Sequence, residues 1–227
     1  MQSFLPLKAV VFDLDGTLIL SVDHIVDCWQ HTVRTCLGRE ISREEVLPTL
    51  GRMLLEALED VAPGRGQELY EVYKAYEHHH HDDRVTLVPG TREVLARLKD
   101  AGLLVGIATS KGIEVATRGL NLFDLVPYFD ALVTREDSER HKPYPDPLLV
   151  ASDRLRVPPN EMIYVGDALV DIQAGEAAGM RTAWVTWGAG TADHFDGVVP
   201  DFTFNTMEDA LALLPLETVS RMESRQQ

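Results

Sequence analysis

The chain has 227 residues, of which 36 are acidic and 21 are basic, so its formal net charge at pH 7 is −15. Hydrophobic residues make up 45% and charged residues 25%, ordinary values that exclude a disordered or collagen-like chain. The acidic excess argues against a protein that binds nucleic acid or an anionic membrane surface, because both tasks need a basic face.

The start of the chain and its cysteines suggest a cytoplasmic protein. Residues 1–7 carry no positive cluster, and the apolar run at 9–12 is short, so we expect neither a signal peptide nor a membrane span. Cys28 and Cys36 lie in one helical stretch, about 12 Å apart along its axis. That separation is too large for a disulfide, so we expect two free thiols.

Short apolar runs predict buried strands, and helical patterns lie between them. The strand candidates are residues 8–13, 103–108, 129–133, 162–165, 182–186 and, more weakly, 202–204. The helix candidates between them are residues 91–101, 113–122, 147–155 and 169–178, the third capped by Asp146. The alternation predicts an α/β fold with a doubly wound, Rossmann-like parallel sheet.

The segment between the first two predicted strands is too long for one connecting helix. It contains four helical patterns, at residues 21–37, 43–47, 53–61 and 67–81, separated by glycine and proline. We interpret it as a four-helix-bundle domain at 21–84, inserted into a core domain formed by 1–20 and 85–227. The hinges are expected near 18–22 and 82–88.

Four polar clusters follow the predicted strands, at the sheet edge where open parallel sheets place their active crevice. They contain Asp13, Asp15 and Thr17; Thr109, Ser110 and Lys111; His141 and Lys142; and Asp167 and Asp171. Each cluster alone is an ordinary turn, loop or helix cap, but four in this order indicate one site. The loop with Gly188 and Gly190 is expected to pass close to it.

The chemistry of these clusters indicates a metal ion and an anionic substrate. The four carboxylates and Lys142 sum to −3, and carboxylates this close repel one another and raise each other's pKa. Mg²⁺, a hard cation with oxygen ligands, would keep them ionised, while Lys142 and Thr109 would hold an anionic group. This set suits phosphoryl transfer through an aspartyl-phosphate.

The same residues resemble the motifs of the haloacid dehalogenase superfamily along nearly the whole chain. The four matching segments are Val11-Phe-Asp-Leu-Asp-Gly-Thr-Leu18, Ala108-Thr-Ser-Lys111, Lys142-Pro-Tyr-Pro-Asp-Pro147 and Val165-Gly-Asp-Ala-Leu-Val-Asp171. The inserted helical segment is similar to the small helical cap of that family. One departure is Leu20, where relatives often carry Asp or Asn, and it concerns only how the hinge is held.

The resemblance implies a role for each residue of the four clusters. Asp13 would be the nucleophile, and Asp15 the general acid and then the general base. Thr109 and Lys142 would bind the transferring phosphoryl group, and Thr17 and Ser110 would also contact the substrate. Mg²⁺ would be bound by Asp13, Asp167 and the backbone carbonyl of Asp15, with Asp171 as a further ligand or a supporting carboxylate.

The resemblance also indicates which reaction is expected and which is the alternative. Asp15 is retained in phosphatases and sugar-phosphate mutases but not in dehalogenases, so a phosphatase is expected, with a mutase as the alternative. A mutase would isomerise its substrate without net phosphate release. A receiver-like phosphorylation switch also uses a phosphorylated aspartate, but it lacks the inserted domain and the Asp-x-Asp-Gly-Thr motif.

The identity of the small phosphorylated substrate depends on the inserted domain. Arg52 is a candidate contact for the anionic part of the substrate. The overall layout resembles phosphoglycolate phosphatases, whereas residues 44–51 and the segment from Tyr76 to Asp82 are more similar to the family's pyrophosphatases. His78, His79, His80 and His81 cannot all face one side of a helix, so at most two of them would reach the site.

Overall fold

The computed structural model describes residues 6–191, 195 and 197–214, and the remaining parts of the predicted core domain lie outside this range. Six parallel strands form one sheet: Ala9–Phe12 (β1), Leu104–Ala108 (β4), Ala131–Val133 (β5), Met162–Gly166 (β6), Arg181–Val185 (β7) and Phe202–Phe204 (β8). Their order across the sheet is β5-β4-β1-β6-β7-β8, which confirms the predicted doubly wound sheet.

Strand β1 lies inside the sheet and pairs with β4 on one side and with β6 on the other. The chain passes from β1 to β4 and β5, and then crosses to β6 on the opposite side. The four residues of β1 are completely buried because helices cover both faces of the sheet. These helices are Thr91–Asp100 (α5), Ile113–Leu122 (α6), Asp146–Leu155 (α7) and Leu169–Ala178 (α8). The reversal of strand order at β1 opens a crevice at the carboxyl ends of the strands.

Four further helices lie between the first strand and the rest of the sheet, and we call residues 21–84 the cap. They are Val22–Leu37 (α1), Arg43–Val46 (α2), Leu54–Val61 (α3) and Gly66–Arg84 (α4). Helices α1 and α3 both pack against α4 around buried side chains that include Trp29, Leu58, Leu69 and Tyr73. The predicted four helices are all present, but α2 is a single turn, continued by a 3₁₀ turn at Leu47–Thr49.

The two connections between cap and core run side by side as a short antiparallel ribbon. Ile19–Leu20 (β2) pairs with Thr86–Leu87 (β3), at the places where the sequence predicted hinges. The hydrophobic pattern predicted no strand here because each strand has only two residues. The ribbon brings the start of α1 and the end of α4 together beneath the cap.

Several boundaries differ from those predicted, for local reasons. Helix α4 continues past His81 to Arg84, and Asp146 is the first residue of α7 rather than its cap, because Pro145 precedes the helix. Cys28 is buried and Cys36 is half-buried, and both are free thiols as expected. Among the described residues, no helix combines the length and the apolar character that crossing a membrane requires.

Candidate active site

The loops at the carboxyl edge of the sheet bring the predicted catalytic residues together. Asp13 directly follows β1, Thr109 follows β4 and Asp167 follows β6, while Lys142 comes from the loop that precedes α7. All four side chains are almost completely buried. Parallel strands cause this convergence, because their carboxyl ends meet at one edge of the sheet.

Three carboxylates form the floor of the site. Asp13, Asp167 and Asp171 each offer one oxygen atom, and these atoms all lie within 4.8 Å of one another. Burial, together with the neighbouring Asp171 and Asp15, raises the pKa of Asp13 to about 7, although Lys142 acts against this shift. Burial, Asp171 and Asp13 raise the pKa of Asp167 well above its usual range. The donor set therefore fits a hard divalent cation, which would allow all three groups to ionise.

Lys142 places a positive charge against this group of carboxylates. Its Nζ atom donates to Asp13 Oδ1 at 2.9 Å, to Asp171 Oδ1 at 2.7 Å and to the Tyr164 hydroxyl at 3.1 Å. Burial disfavours the ammonium form, but the carboxylates of Asp13 and Asp171 raise the pKa of Lys142 well above its usual range. Lys142 therefore remains charged beside the carboxylate that the motifs identify as the nucleophile.

Asp171 supports the site through contacts with the protein. Its Oδ1 atom accepts from Lys142, and its Oδ2 atom accepts from the backbone N–H of Ala168 at 2.9 Å. Both oxygens are thus engaged within the protein. This favours a supporting role for Asp171 over direct contact with a metal ion.

Asp167 is held by a close approach of two loops. Ala189 donates its backbone N–H to Asp167 Oδ2 at 2.7 Å, so the glycine-containing loop does pass beside the site as expected. A Cβ atom on Gly188 would lie 2.2 Å from Asp167 Cβ, and one on Gly16, whose φ is +74°, would lie 2.2 Å from Asp167 Oδ2. Only glycine fits at these two positions.

Thr17 is completely buried beside Asp167. The residue is 0% exposed, and its hydroxyl donates to Asp167 Oδ1 at 3.4 Å. Thr17 is not among the described residues that line the cavity. This contact favours a role in positioning Asp167, and direct contact of Thr17 with a substrate stays a prediction.

Asp15 lies beside the floor and is less buried than Asp13. Its Oδ1 atom accepts a short hydrogen bond of 2.6 Å from the Ser21 hydroxyl, and its Oδ2 atom lies 3.4 Å from Nζ of Lys111. The three-carboxylate group does not include its side chain. A contribution of the Asp15 backbone carbonyl to a metal ion stays a prediction.

The loop after β4 connects the site to the cap. The Thr109 hydroxyl accepts from the backbone N–H of Lys111 at 3.2 Å, and the Ser110 hydroxyl donates to the carbonyl of Gly51 in the cap at 2.8 Å. A second contact joins Arg135, which follows β5, to the hydroxyl of Tyr70 in the cap at 2.8 Å. The cap therefore lies directly over the carboxylates.

A cavity of about 100 Å³ lies between core and cap. A single water needs only about 10–15 Å³ by the same measure, so the space suits a small molecule rather than a polymer. The core contributes Asp13, Asp15, Thr109, Ser110, Lys111, Arg135, Lys142 and Asp167, and the cap contributes Trp29, Arg52, Tyr70, Tyr73, Lys74 and Glu77 among others. Arg52, the predicted substrate contact of the cap, therefore lines the cavity, and its guanidinium also pairs with Asp60 at 2.7 Å.

Some residues of the cavity were not predicted from the sequence. Lys111 belongs to the second motif segment, but the resemblance implied no role for its side chain. Arg135 and Glu77 were not predicted as site residues. The only sequence signal for Glu77 is its position just before the four histidines. The proximity of Glu77 to the site arises from how α4 lies against the core, which no local motif encodes.

The four histidines are all part of α4 and face different directions. His81 is buried and packs edge-on against His24, with the ring centroids 6.0 Å apart. His80 packs against Tyr76, whose ring stacks on His31. The described residues that line the cavity include none of the four histidines.

Comparison with known proteins finds similar sequences along nearly the whole chain. The model of the haloacid dehalogenase-like hydrolase family matches residues 10–185. A proposed pyrophosphatase PpaX from Caldanaerobacter subterraneus is 38% identical over 92% of this chain and 94% of its own length. Pyrophosphatase PpaX from Bacillus thuringiensis is 36% identical over 92% of this chain and 96% of its own length.

A solved structure has the same overall architecture. The crystal structure of a proposed phosphoglycolate phosphatase from Lactobacillus plantarum matches with a TM-score of 0.83 and 23% identity, covering 92% of this chain and 100% of that one. At this identity the match is informative about the fold alone.

Proposed function

Because the chain belongs to the haloacid dehalogenase-like hydrolase family, we propose that it is a Mg²⁺-dependent phosphohydrolase acting on a small phosphorylated compound, with pyrophosphate as the first candidate. One observation carries the proposal. Asp13 is in contact with Lys142 and faces two further buried carboxylates, at the floor of a small cavity between core and cap. In this proposal residues 21–84 form the cap domain that selects the substrate.

The proposed reaction has two steps at Asp13. Asp13 attacks phosphorus, the bond from phosphorus to the leaving oxygen breaks, and Asp15 gives a proton to that oxygen. Asp15 then takes a proton from water, which attacks the aspartyl-phosphate and releases inorganic phosphate and free Asp13. Lys142 and Thr109 hold the oxygens of the transferred group throughout.

The residues that would hold Mg²⁺ are Asp13, Asp167 and the backbone carbonyl of Asp15. Bound there, the ion would supply positive charge that offsets the carboxylates and the phosphoryl oxygens. Asp171 keeps Lys142 in place, and Thr17 and Ala189 keep Asp167 oriented.

Two observations support pyrophosphate as the substrate. Arginine side chains of both domains line the cavity, where a second anionic group of a substrate would lie: Arg52 from the cap and Arg135 from the core. The relatives from Caldanaerobacter and Bacillus, at 36–38% identity, carry the name pyrophosphatase. A phosphomonoester with a second acidic group, such as phosphoglycolate, is the other substrate of the right size and charge.

The test is a comparison of kcat/KM for pyrophosphate, phosphoglycolate and a panel of simple phosphomonoesters in the presence of Mg²⁺, with phosphate release as the readout. We expect pyrophosphate to give the highest value and Asp13→Asn to release no phosphate. A higher value for a monoester would contradict the assignment of pyrophosphate alone. Isomerisation without phosphate release, or a long-lived phosphoprotein without turnover, would contradict the hydrolase.

A further inference from the structure

Four side chains of alternating charge connect the core to the cap. Nζ of Lys111 lies 3.4 Å from Asp15 Oδ2 and 3.1 Å from Oε1 of Glu77, and the other oxygen of Glu77 accepts from Lys74. Asp15 and Lys111 belong to the core, whereas Glu77 and Lys74 are one helical turn apart on α4. We call these four residues the charge chain.

The central pair of the charge chain is shielded from solvent. The side chain of Lys111 is 13% exposed and that of Glu77 is 6% exposed. Burial opposes ionisation of Glu77, but Lys111 and Lys74 lower its pKa to about 2. The charge chain contains two lysines and two carboxylates, and each of them lies beside a group of opposite charge.

Stability is a weak explanation for such an arrangement. Buried ion pairs commonly contribute no more to folding than apolar residues of similar size, because desolvation cancels much of their attraction. Elsewhere along α4, Leu69 and Tyr73 make buried apolar contacts, and the ion pair of Asp82 with Arg118 is partly exposed to solvent. What distinguishes the charge chain is that one end of it is Asp15.

The two carboxylate oxygens of Asp15 have different neighbours. Oδ1 accepts the short hydrogen bond from Ser21, and Oδ2 faces Lys111. Nζ of Lys111 therefore lies between Oδ2 of Asp15 in the core and Oε1 of Glu77 in the cap.

The backbone of Lys111 is tied to the same assembly. Its N–H donates to the Thr109 hydroxyl, and the hydroxyl of the intervening Ser110 donates to Gly51 of the cap. The three-residue loop from Thr109 to Lys111 thus contains the proposed phosphoryl-binding residue and contacts the proposed acid and two points of the cap. A shift of the cap would be transmitted to Asp15 through Lys111.

We propose that Lys111 and Glu77 are positioning residues for Asp15, so that proton transfer to the leaving group is fully assembled only when α4 of the cap lies against the core. This inference rests on the proposed function, because it assigns a role within that reaction. Neither residue touches the reacting atoms in this proposal, and neither is required for attack by Asp13.

The test compares two substrates that differ in their need for an acid. p-Nitrophenyl phosphate has a leaving group that departs readily without a proton, whereas phenyl phosphate has a more basic leaving group. Proton transfer from a positioned acid contributes about 10²–10⁴-fold to a reaction that needs it. In Glu77→Gln and Lys111→Met we expect kcat/KM for phenyl phosphate to fall at least about tenfold more than for p-nitrophenyl phosphate.

Control variants distinguish a positioning role of Glu77 and Lys111 from a general effect on folding. Glu71→Gln changes an exposed glutamate on the same helix, and Lys8→Met changes an exposed lysine of the core, so neither should alter the ratio between the two substrates. The conservative variants Glu77→Asp and Lys111→Arg keep the charges and should recover part of the lost selectivity. They also provide the comparison if a charge-removing variant fails to fold, as judged by thermal unfolding.

The outcomes distinguish this inference from the proposed function. Equal losses for both substrates, or no loss, in a folded variant would overturn the positioning role while leaving the hydrolase intact. If the wild-type protein released no phosphate from any tested substrate, the proposed function would fail and this inference would fail with it.

Discussion

Nζ of Lys142 lies 2.9 Å from Oδ1 of Asp13, and the two residues are only 4% and 3% exposed. This pair joins the end of the central strand to a loop 129 residues further along the chain. When Asp13, Asp167 and Asp171 are all ionised, the single ammonium of Lys142 offsets only one of their three negative charges. The site therefore combines a charged lysine with an unbalanced excess of carboxylate.

Replacing the proposed nucleophile should abolish turnover. In Asp13→Asn the side chain keeps its size but cannot form an acyl-phosphate, so we expect phosphate release to fall by at least about 10³-fold. The measurement is kcat with saturating pyrophosphate and Mg²⁺, with thermal unfolding as the check on folding. Asp153→Asn, at an exposed position of α7, is the matched control and should retain full activity. Substantial turnover by Asp13→Asn would identify another nucleophile.

The stability of the metal-free protein should depend on pH because of the same carboxylates. Burial raises the pKa of Asp13 from 3.8 to about 7, so between these values the folded state binds more protons than the unfolded state. The stability that Asp13 contributes is therefore complete below about pH 4 and is lost as the pH rises through about 7. Asp167 shifts in the same direction and reinforces the effect.

Mg²⁺ should reverse this loss. It competes with protons for the same oxygens, so the rise in Tm on adding Mg²⁺ to EDTA-treated protein should be larger at pH 8 than at pH 5. At 100 times its Kd the ion would add about 2.7 kcal/mol, or about 5–10 °C in a chain of this size. Asp167→Asn should reduce the rise. An equal or larger rise at pH 5 would contradict the assignment of these carboxylates to the ion.

The sheet and its catalytic edge could be predicted because their signals are local. Runs such as residues 8–13 combine apolar strand character with polar residues at the carboxyl end, and topology then brings those ends together. The direction of the Thr17 hydroxyl after a tight turn has no such local signal. Its hydrogen-bond partner, Asp167, is 150 residues away in sequence.

The cap shows the other limit of sequence reasoning. Its helices were predicted from periodicity, but the ribbon of β2 and β3 was not, because two residues give no period. Glu77 and Arg135 had no motif to mark them, and their contacts with Lys111 and Tyr70 exist only once the cap lies on the core. Long-range packing between two units therefore decides which charged residues face the cavity.

Thr17 should influence metal affinity rather than substrate affinity. Thr17→Val keeps the shape of the side chain but removes the hydroxyl that orients Asp167, so we expect about a tenfold weaker response to Mg²⁺. At saturating Mg²⁺ the KM for pyrophosphate should be unchanged. Titrations of activity and of Tm with Mg²⁺ provide the measurement, and Thr203→Val at an exposed strand position is the control. A raised KM with normal Mg²⁺ affinity would instead support direct contact with the substrate.

Arg52 should contribute to recognition of a second anionic group. It lines the cavity from the cap, and its pairing with Asp60 is partly exposed to solvent, so a bound anion could share its guanidinium. A charge-assisted hydrogen bond contributes about 1.5–3 kcal/mol, so Arg52→Met should raise the KM for pyrophosphate at least about tenfold with little change in kcat. p-Nitrophenyl phosphate has no second anionic group, and its KM should be nearly unaffected. Arg39→Met, at an exposed position of the cap, is the control. Equal increases in KM for both substrates would place Arg52 against the transferred phosphoryl group itself, and no increase would make it a surface residue paired with Asp60.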